Sequence, residues 1–202
     1  TYGTPESIRN YSQEEAEERF VELAVSRIKR GPVFVKAHRG TIQRALHLLS
    51  SETSAPMICS PRLCREIAVY QEFGTPIGVV VPSGTSDATA MMASAPYFRF
   101  YSKGDRFPID PPPTVSSITL SAFMASRDDP VMTYSDAAYR VALSNHADFK
   151  GTLDYVKATG ATHVIADNTR GKGIDLANEV TRQLGIAARP SANYHTHAWG
   201  DG

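Results

Sequence analysis

His146 stands in the stretch SNHADFKGTLDYV (144–156), in which a histidine is followed by an acid and then by a run with helical spacing. The extended run YRVALS comes directly before it, so the stretch is typical of a strand that leads into a helix. A second strand-like run, THVIADN, ends in Asp167 and Asn168. Since ligands of open α/β sheets bind at the carboxyl ends of strands, His146 and Asp167 are candidate catalytic residues and metal ligands. Histidine and aspartate are also common in helix caps and turns, so a structural role is the alternative.

The turn KAHRGT (36–41) joins a buried strand to a helix and carries several cations. Lys36, His38 and Arg39 lie beside a glycine and the amide groups of a helix start, a combination that binds anions. Gln43 extends the polar side of the same helix. The pattern matches neither a Walker loop nor a dinucleotide fingerprint. It therefore indicates either a phosphate-binding turn or an ordinary solvated helix face.

Other candidates for chemistry are weaker. The C-terminal YHTHAWGDG places His195 and His197 two residues apart, so that on an extended segment both imidazoles would lie on one side and could bind a divalent metal. An exposed tail is the alternative for this segment. Cys59 and Cys64 form neither a zinc ribbon nor a disulfide framework, and no GxSxG motif occurs, so nucleophilic catalysis is not indicated.

Strands and helices alternate along most of the chain. This alternation predicts an α/β fold, a layered arrangement with a mostly parallel β-sheet flanked by helices and a C-terminal strand–helix–strand segment. The stretch 83–98 is ambiguous, and the proline-rich 103–117 reads as a connector before three extended runs. Helices are predicted at 12–30, 41–49, 61–74, from just after His146 to Gly160, and at 173–185, and strands at 33–37, 56–60, 77–81, 162–167 and 186–191.

The bulk composition limits the function classes. Of the 202 residues 42% are apolar, which suffices for one substantial core, and 21 basic residues balance 21 acidic ones. A neutral chain attracts nucleic acid or an anionic membrane only through a local patch. No apolar run is long enough to span a bilayer and no leader is recognisable, so we expect no membrane partner and a cytoplasmic location.

Four segments, in order, resemble the β-CASP branch of the metallo-β-lactamase fold nucleases. TYGTPESIRNYSQEEAEERFVELA resembles the segment after the first acidic motif of that family, and GPVFVKAHRGTIQRALHLL resembles the strand, turn and helix that follow. RVALSNHADFKGTLDYV is similar to the Ser-x-His-Ala motif, and ATHVIADN is similar to the strand of the next motif. The Ser-x-His-Ala-Asp segment and the opening Thr-Tyr-Gly are the most specific parts of the resemblance.

The resemblance implies a portion of a zinc-dependent nuclease that hydrolyses RNA or DNA. Residues 1–140 would form the β-CASP-like cap and 141–202 would complete a metallo-β-lactamase half, whose His-x-His-x-Asp-His motif has no equivalent in this sequence. The family uses two zinc ions, and His146 would be one ligand. Partners would be the nucleic acid, the missing half in cis or in trans, and in one arrangement a second copy in a homodimer. Phosphates would bind near Lys36, His38, Arg39, Gln43 and Ser144.

One departure and two rival interpretations remain at the level of sequence. RNA-cleaving relatives carry a histidine at the end of the THVIAD strand, where this chain has Asp167 and Asn168, and the alignment does not choose between them. The first rival is a non-catalytic β-CASP-like subunit that binds nucleic acid or protein. The second is an unrelated α/β module that binds a small phosphorylated ligand at KAHRGT.

Overall fold

The computed structural model describes residues 9–102, 104–105, 114–122, 126–169 and 171–191. Two compact units divide this part of the chain, a larger one over Arg9–Asn145 and a smaller one that contains the described residues from His146 onward. The elements of the larger unit are, in chain order, α1 (Gln13–Ile28), β1 (Val33–Lys36), α2 (Thr41–Ser50), β2 (Met57–Cys59), α3 (Pro61–Glu72), β3 (Val80–Pro82), α4 (Ser86–Ser94), β4 (Phe98–Tyr101), β5 (Ser116–Leu120), β6 (Val131–Ser135) and β7 (Ala138–Val141).

The larger unit is built on a seven-stranded sheet in the order β3-β2-β4-β1-β5-β7-β6. Every neighbouring pair is parallel except β6 and β7, which are antiparallel. The prediction of an α/β fold with a mostly parallel sheet flanked by helices is therefore confirmed. Parallel strands need crossover connections, and α2 and α3 supply them on the β1-to-β3 side.

Buried apolar side chains occur on both faces of the sheet, and most of them lie on one face. Val33 and Val35 of β1 face one core, whereas Ile58 of β2 faces a second cluster with Ala88 of α4. Fully burying each large apolar side chain contributes about 1.5 to 3 kcal/mol. The helices α1, α2 and α3 supply to the first core the buried side chains Phe20, Ile42, Leu46, Leu49, Leu63 and Ile67.

Local capping explains why two predicted helices begin where they do. Ser12 Oγ accepts a hydrogen bond from Glu15 N, and Glu15 Oε2 accepts one from Ser12 N at 2.5 Å, which together form a capping box. In α3 Pro61 takes the first helical position, and Ser60 Oγ accepts from Leu63 N at 3.3 Å. Both start points agree with the sequence prediction.

The strand predicted at 77–81 is largely wrong, since only its last two residues belong to β3. The polar backbone groups of Gly78 bond to side chains instead of to a neighbouring strand. Its N–H donates to Ser50 Oγ at 2.7 Å, and its carbonyl accepts from Gln71 Nε2 at 3.1 Å. Val79 is 84% exposed, so this part of the run is not a buried strand.

The ambiguous middle contains one helix and one strand. Thr85 Oγ1 accepts from Ala88 N and caps α4, and β4 follows directly. The strand alternates, with Phe98 and Phe100 buried against the core and Arg99 on the opposite face. β4 occupies the centre of the sheet between β2 and β1, although the sequence did not single it out.

The smaller unit contains α5 (Phe149–Ala158), β8 (His163–Ala166), α6 (Gly173–Leu184) and β9 (Ala187–Pro190). β8 and β9 pair in parallel around α6, which confirms the C-terminal strand–helix–strand segment. Phe149, Leu153 and Val180 form the buried core of this unit. The other face of β8 is open, with Ile165 64% exposed.

Membrane-spanning helices do not occur in the part of the chain that the structure describes, because none of its helices has both the length and the apolar character required. The longest described helix, α1, has 16 residues and carries acidic and basic side chains. The cytoplasmic location expected from the sequence stays a prediction.

Candidate nucleic-acid interface

The connections that leave β1 and β5 diverge at the carboxyl edge of the sheet. The chain leaving β1 passes through α2 to β2 on one side, whereas the chain leaving β5 continues to β6 and β7 on the other side. The two strands are parallel neighbours, with Lys36 paired to Thr119. Such a divergence opens a crevice beyond the strand ends, which is where open α/β sheets bind ligands. The KAHRGT turn lies at this edge.

Two of the predicted phosphate ligands in this turn have side chains that face solvent. Lys36 is the last residue of β1 and His38 follows two residues later, and both side chains are exposed. Within the described residues neither side chain makes a hydrogen bond or an ion pair. Arg39 differs, since its Nη2 lies 3.1 Å from Glu66 Oε1. An exposed ion pair of this kind contributes little to stability and leaves the guanidinium accessible.

Gln43, also predicted to bind phosphate, is instead engaged in the turn itself. It is 3% exposed, and its Oε1 accepts a hydrogen bond from Gly40 N at 2.7 Å. This bond satisfies a backbone donor at the helix start that would otherwise lack a partner. Gln43 thereby fixes the shape of the turn that carries Lys36 and His38.

Asn145, the last residue of the larger unit, contacts the KAHRGT turn. Thr41 Oγ1 donates to Asn145 Oδ1 at 3.2 Å, and the Asn145 amide lies against Gly40. Gly40 has a φ of +81°, and a Cβ there would overlap Asn145 Nδ2, so both conformation and space favour glycine. Ser144, the remaining predicted phosphate ligand, directly precedes this asparagine and is half-buried. The sequence prediction assigned no role to Asn145 or Thr41.

A charged pair on α1 and α2 fixes the position of Arg44 beside this turn. Arg44 Nε donates to Glu17 Oε1 at 2.9 Å and its Nη2 to Glu17 Oε2 at 2.5 Å, a bidentate arrangement. Burial would raise the pKa of Glu17, but hydrogen bonds from Arg44 and Gln13 and the positive charge of Arg44 hold that pKa below its ordinary value. The carboxylate therefore stays charged and anchors the guanidinium.

In the smaller unit His146 is exposed just before α5. Asp148, two residues later, caps that helix, since its Oδ1 accepts from Gly151 N at 2.7 Å. Asp148 therefore has the helix-capping role that was the alternative to a catalytic one. A four-residue connection reverses the chain between α5 and β8, which brings the start of α5 and the end of β8 to the same end of the unit. His146 precedes the start of α5, and Asp167 follows the end of β8.

The structure separates the roles of Asp167 and Asn168. Asn168 is 3% exposed, its Oδ1 accepts from Gly173 N at 3.0 Å, and its N–H donates to Ser191 Oγ at 2.9 Å. Asp167 is exposed and forms a local turn, accepting from both the N–H and the hydroxyl of Thr169. Of the two residues, Asp167 is the one that a ligand can reach.

The described residues alone do not fit a zinc centre. Nowhere in the ranges that the structure describes do three histidine, cysteine, aspartate or glutamate side chains gather closely enough to hold a metal ion. A structural zinc site needs four ligands and a catalytic one about three from the protein. His195 and His197, the secondary metal candidates, lie outside the described residues. Any zinc bound through His146 therefore needs further ligands.

No protein-family model matches the chain, and no curated protein matches it. The β-CASP resemblance consequently depends on its own motifs, above all Ser-x-His-Ala-Asp and Thr-Tyr-Gly. The structure describes the first of these motifs, whereas the second lies outside the described residues.

A second polar cluster, which sequence reasoning missed, lies at the carboxyl ends of β2 and β4. Asp105 Oδ2 accepts from the N–H and the hydroxyl of Ser102 at 2.7 and 3.0 Å, and Arg62 Nη2 donates to Ser102 Oγ at 3.1 Å. Burial would raise the pKa of Asp105, but these hydrogen bonds, another from Ser60 and the charge of Arg62 lower it. In the sequence, only the short spacing between Ser102 and Asp105 could have indicated this cluster.

The two cysteines adjoin this cluster and differ in burial. Cys59 is 1% exposed at the end of β2, and Cys64 is half-buried in the second turn of α3 with its Sγ 3.9 Å from the Cys59 carbonyl oxygen. A hydrogen bond with Cys64 and burial raise the pKa of the Cys59 thiol. The same bond, accepted by Cys64 as a thiolate, lowers the pKa of Cys64. Cys64 is therefore the more accessible of the two thiols.

Proposed function

We propose that the chain is a portion of a zinc-dependent nuclease that hydrolyses phosphodiester bonds of RNA or DNA. In this proposal the larger unit binds the nucleic-acid backbone, and His146 with Asp167 contributes to the active site. A metallo-β-lactamase half, present in cis or supplied in trans, provides the remaining zinc ligands.

The contact between Asn145 and the KAHRGT turn carries the proposal. Two segments that resemble the nuclease family at separate places in the sequence meet at Gly40 and Thr41. They do so at the carboxyl edge of the sheet, where the connections that leave β1 and β5 diverge and where open α/β sheets bind their ligands.

The exposed basic side chains at this edge suit a polyanionic substrate. Lys36 and His38 lack partners among the described residues, and Arg39 has a single exposed ion pair. Neutralising phosphates with such side chains releases counterions and supplies most of the affinity in sequence-independent binding. The neutral total charge of the chain is compatible with a patch of this size.

The open face of the smaller unit supports the need for a second half. Within the described chain β8 and β9 pair only with each other, and Ile165 is 64% exposed on their outer face. Parallel strands are normally covered on both faces, and a two-stranded sheet alone is marginally stable. Additional strands or helices from the other half would cover Ile165. Zinc ions bound with that half would supply an activated water and stabilise charge on the leaving oxygen.

Binding is tested first, with a fluorescently labelled single-stranded oligonucleotide of about ten nucleotides, as RNA and as DNA, titrated at several salt concentrations. We expect Lys36→Ala to weaken binding about fivefold and to reduce the slope of log K against log salt by about 0.7. Lys29→Ala is the matched control, because Lys29 is exposed at the far end of α1 from this edge. Binding that ignores salt, or equal effects of the two variants, would contradict the phosphate site.

Cleavage is tested in the polypeptide or complex that contains both halves, loaded with zinc. We expect His146→Ala to reduce the rate of phosphodiester cleavage by at least about a hundredfold and to lower the zinc content measured by elemental analysis. Asp154→Ala is the control, since that carboxylate is exposed on α5 and pairs with Lys150. Unchanged cleavage and zinc content in His146→Ala would refute the assignment.

A further inference from the structure

An open groove runs along α2 to the end of α3 in the larger unit. Its cavity volume is about 330 Å³, and it extends from Gly40 past the polar face of α2 to the loop at residues 74–76. This volume is at the lower end of the range found for small-molecule sites. The side chains that define its chemistry are Gln43, Arg44, His47, Tyr70, Phe73 and Pro76.

One wall of the groove is aromatic and unusually exposed. Phe73 is 83% exposed and Tyr70, one helical turn earlier, is 41% exposed. A large aromatic side chain that stays exposed lacks the stabilisation of about 1.5 to 3 kcal/mol that its burial would contribute. Exposed aromatic side chains that line a cavity are accordingly a feature of binding surfaces.

The opposite wall is polar and held in place. Arg44 uses Nε and Nη2 for Glu17, which leaves Nη1 for a ligand. His47 Nδ1 lies 3.2 Å from the Pro76 carbonyl oxygen, a hydrogen bond that ties α2 to the loop closing the groove. The groove therefore combines stacking surfaces with a fixed cation.

We propose that this groove holds an unpaired base of a single-stranded nucleic acid, stacked on Phe73 and Tyr70. Bases present a flat π-face that stacks on aromatic rings regardless of sequence, and a guanidinium adds a cation that a base or phosphate accepts. The inference rests on the proposed function and identifies its substrate as single-stranded. Double-stranded nucleic acid keeps its bases in the stack and does not fit this arrangement.

Continuity with the phosphate patch supports this occupant over a free small molecule. Gly40 belongs both to the groove and to the turn that carries Lys36 and His38. A strand whose backbone contacts Lys36 and His38 could continue past Gly40 into the groove. The cavity is too small for a helix of a protein partner, which is about 10 Å in diameter with its side chains.

The experiment compares two labelled ten-mers of about equal charge, an oligothymidylate and an abasic chain with the same phosphates. We expect Phe73→Ala and Tyr70→Ala each to weaken oligothymidylate binding by roughly tenfold and to leave the abasic chain unaffected. Tyr155→Ala is the control, because Tyr155 is 70% exposed in the smaller unit. Since Phe73 is exposed, its truncation leaves the fold intact, which circular dichroism verifies.

The outcomes separate this inference from the proposed function. If Lys36→Ala weakens both ten-mers while Phe73→Ala weakens neither, phosphate binding stands and the stacking groove is overturned. If the wild type binds neither ten-mer, both proposals fall. If thymidine monophosphate binds, Phe73→Ala abolishes that binding and neither ten-mer binds, the groove takes a small nucleotide and the single-strand assignment is overturned. Equal loss for Tyr155→Ala also overturns it.

Discussion

The contact between Gly40 and Asn145 predicts an unusually large effect for a glycine-to-alanine change on the surface. Gly40 adopts φ +81°, and the added Cβ would overlap the Asn145 Nδ2 and lie 3.2 Å from its Cγ. Asn145 is exposed, so its side chain can move away, but only by breaking the hydrogen bond from Thr41. Gly40→Ala therefore combines backbone strain with loss of a specific contact.

The magnitude follows from these two terms. Positive φ in a residue with a Cβ costs about 1 to 2 kcal/mol, and the lost Thr41–Asn145 hydrogen bond costs about 1 kcal/mol. We expect Gly40→Ala to lower the free energy of unfolding by about 2 to 3 kcal/mol. Gly84→Ala separates the terms, because Gly84 has φ +86° with nothing within 4 Å of its Cβ position, and should cost only about 1 to 2 kcal/mol.

Urea unfolding followed by circular dichroism measures these differences, and a double-mutant cycle assigns them. Asn145→Ala alone should cost about 1 kcal/mol, and Gly40→Ala with Asn145→Ala should cost no more than Gly40→Ala alone. The turn also positions Lys36, so oligonucleotide affinity should fall in Gly40→Ala but not in Gly84→Ala. Additive free energies in the cycle, or equal costs for the two glycine changes, would refute the geometry described for the turn.

Two further predictions concern titratable groups. The pKa of Glu17 lies below its ordinary value of 4.5, so the stability contributed by its pair with Arg44 is present above that pH and is lost as the pH falls through the lowered pKa. Glu17→Gln should lower the free energy of unfolding by about 1 to 2 kcal/mol at neutral pH, and this difference should vanish in acid. A difference in urea unfolding that does not change with pH would contradict the pair. Iodoacetamide should modify Cys64 at least about tenfold faster than Cys59, as measured by peptide mass spectrometry. The Cys64→Ser variant should react only at the slow rate of Cys59. Equal rates for the two cysteines would contradict this prediction.

The sequence was sufficient to predict the helices whose first residues include a recognisable capping residue. Two helix starts are fixed by residues close together in the sequence, Ser12 with Glu15 and Ser60 with Pro61. These residue types are recognisable in the sequence as helix caps. The parallel sheet followed from the alternation of such helices with apolar runs. β4 escaped prediction because its position between β2 and β1 depends on pairing with strands far away in the chain.

The candidate site was predictable in its residue types but not in its geometry. Lys36 and His38 are exposed at the carboxyl edge, as a cation-rich turn after a buried strand suggests. The engagement of Gln43 by Gly40 depends on the turn conformation, and the approach of Asn145 depends on the order of β1, β5 and β7. The different roles of Asp167 and Asn168 likewise depend on the hydrogen bond between Asn168 and Ser191, which no local sequence pattern predicts.

The strand order of the larger unit has a consequence for how the chain folds during synthesis. β1 has two neighbours, and Val33 pairs with Phe98 on one side and with Ser116 on the other. A ribosome must therefore release β4 before the apolar β1 gains any partner, and until then β2 can pair only with β3. Such distant pairing slows folding, because loop closure must precede the contacts that reward it. A nascent chain that stalls before β4 would expose unpaired strand edges and be prone to aggregation.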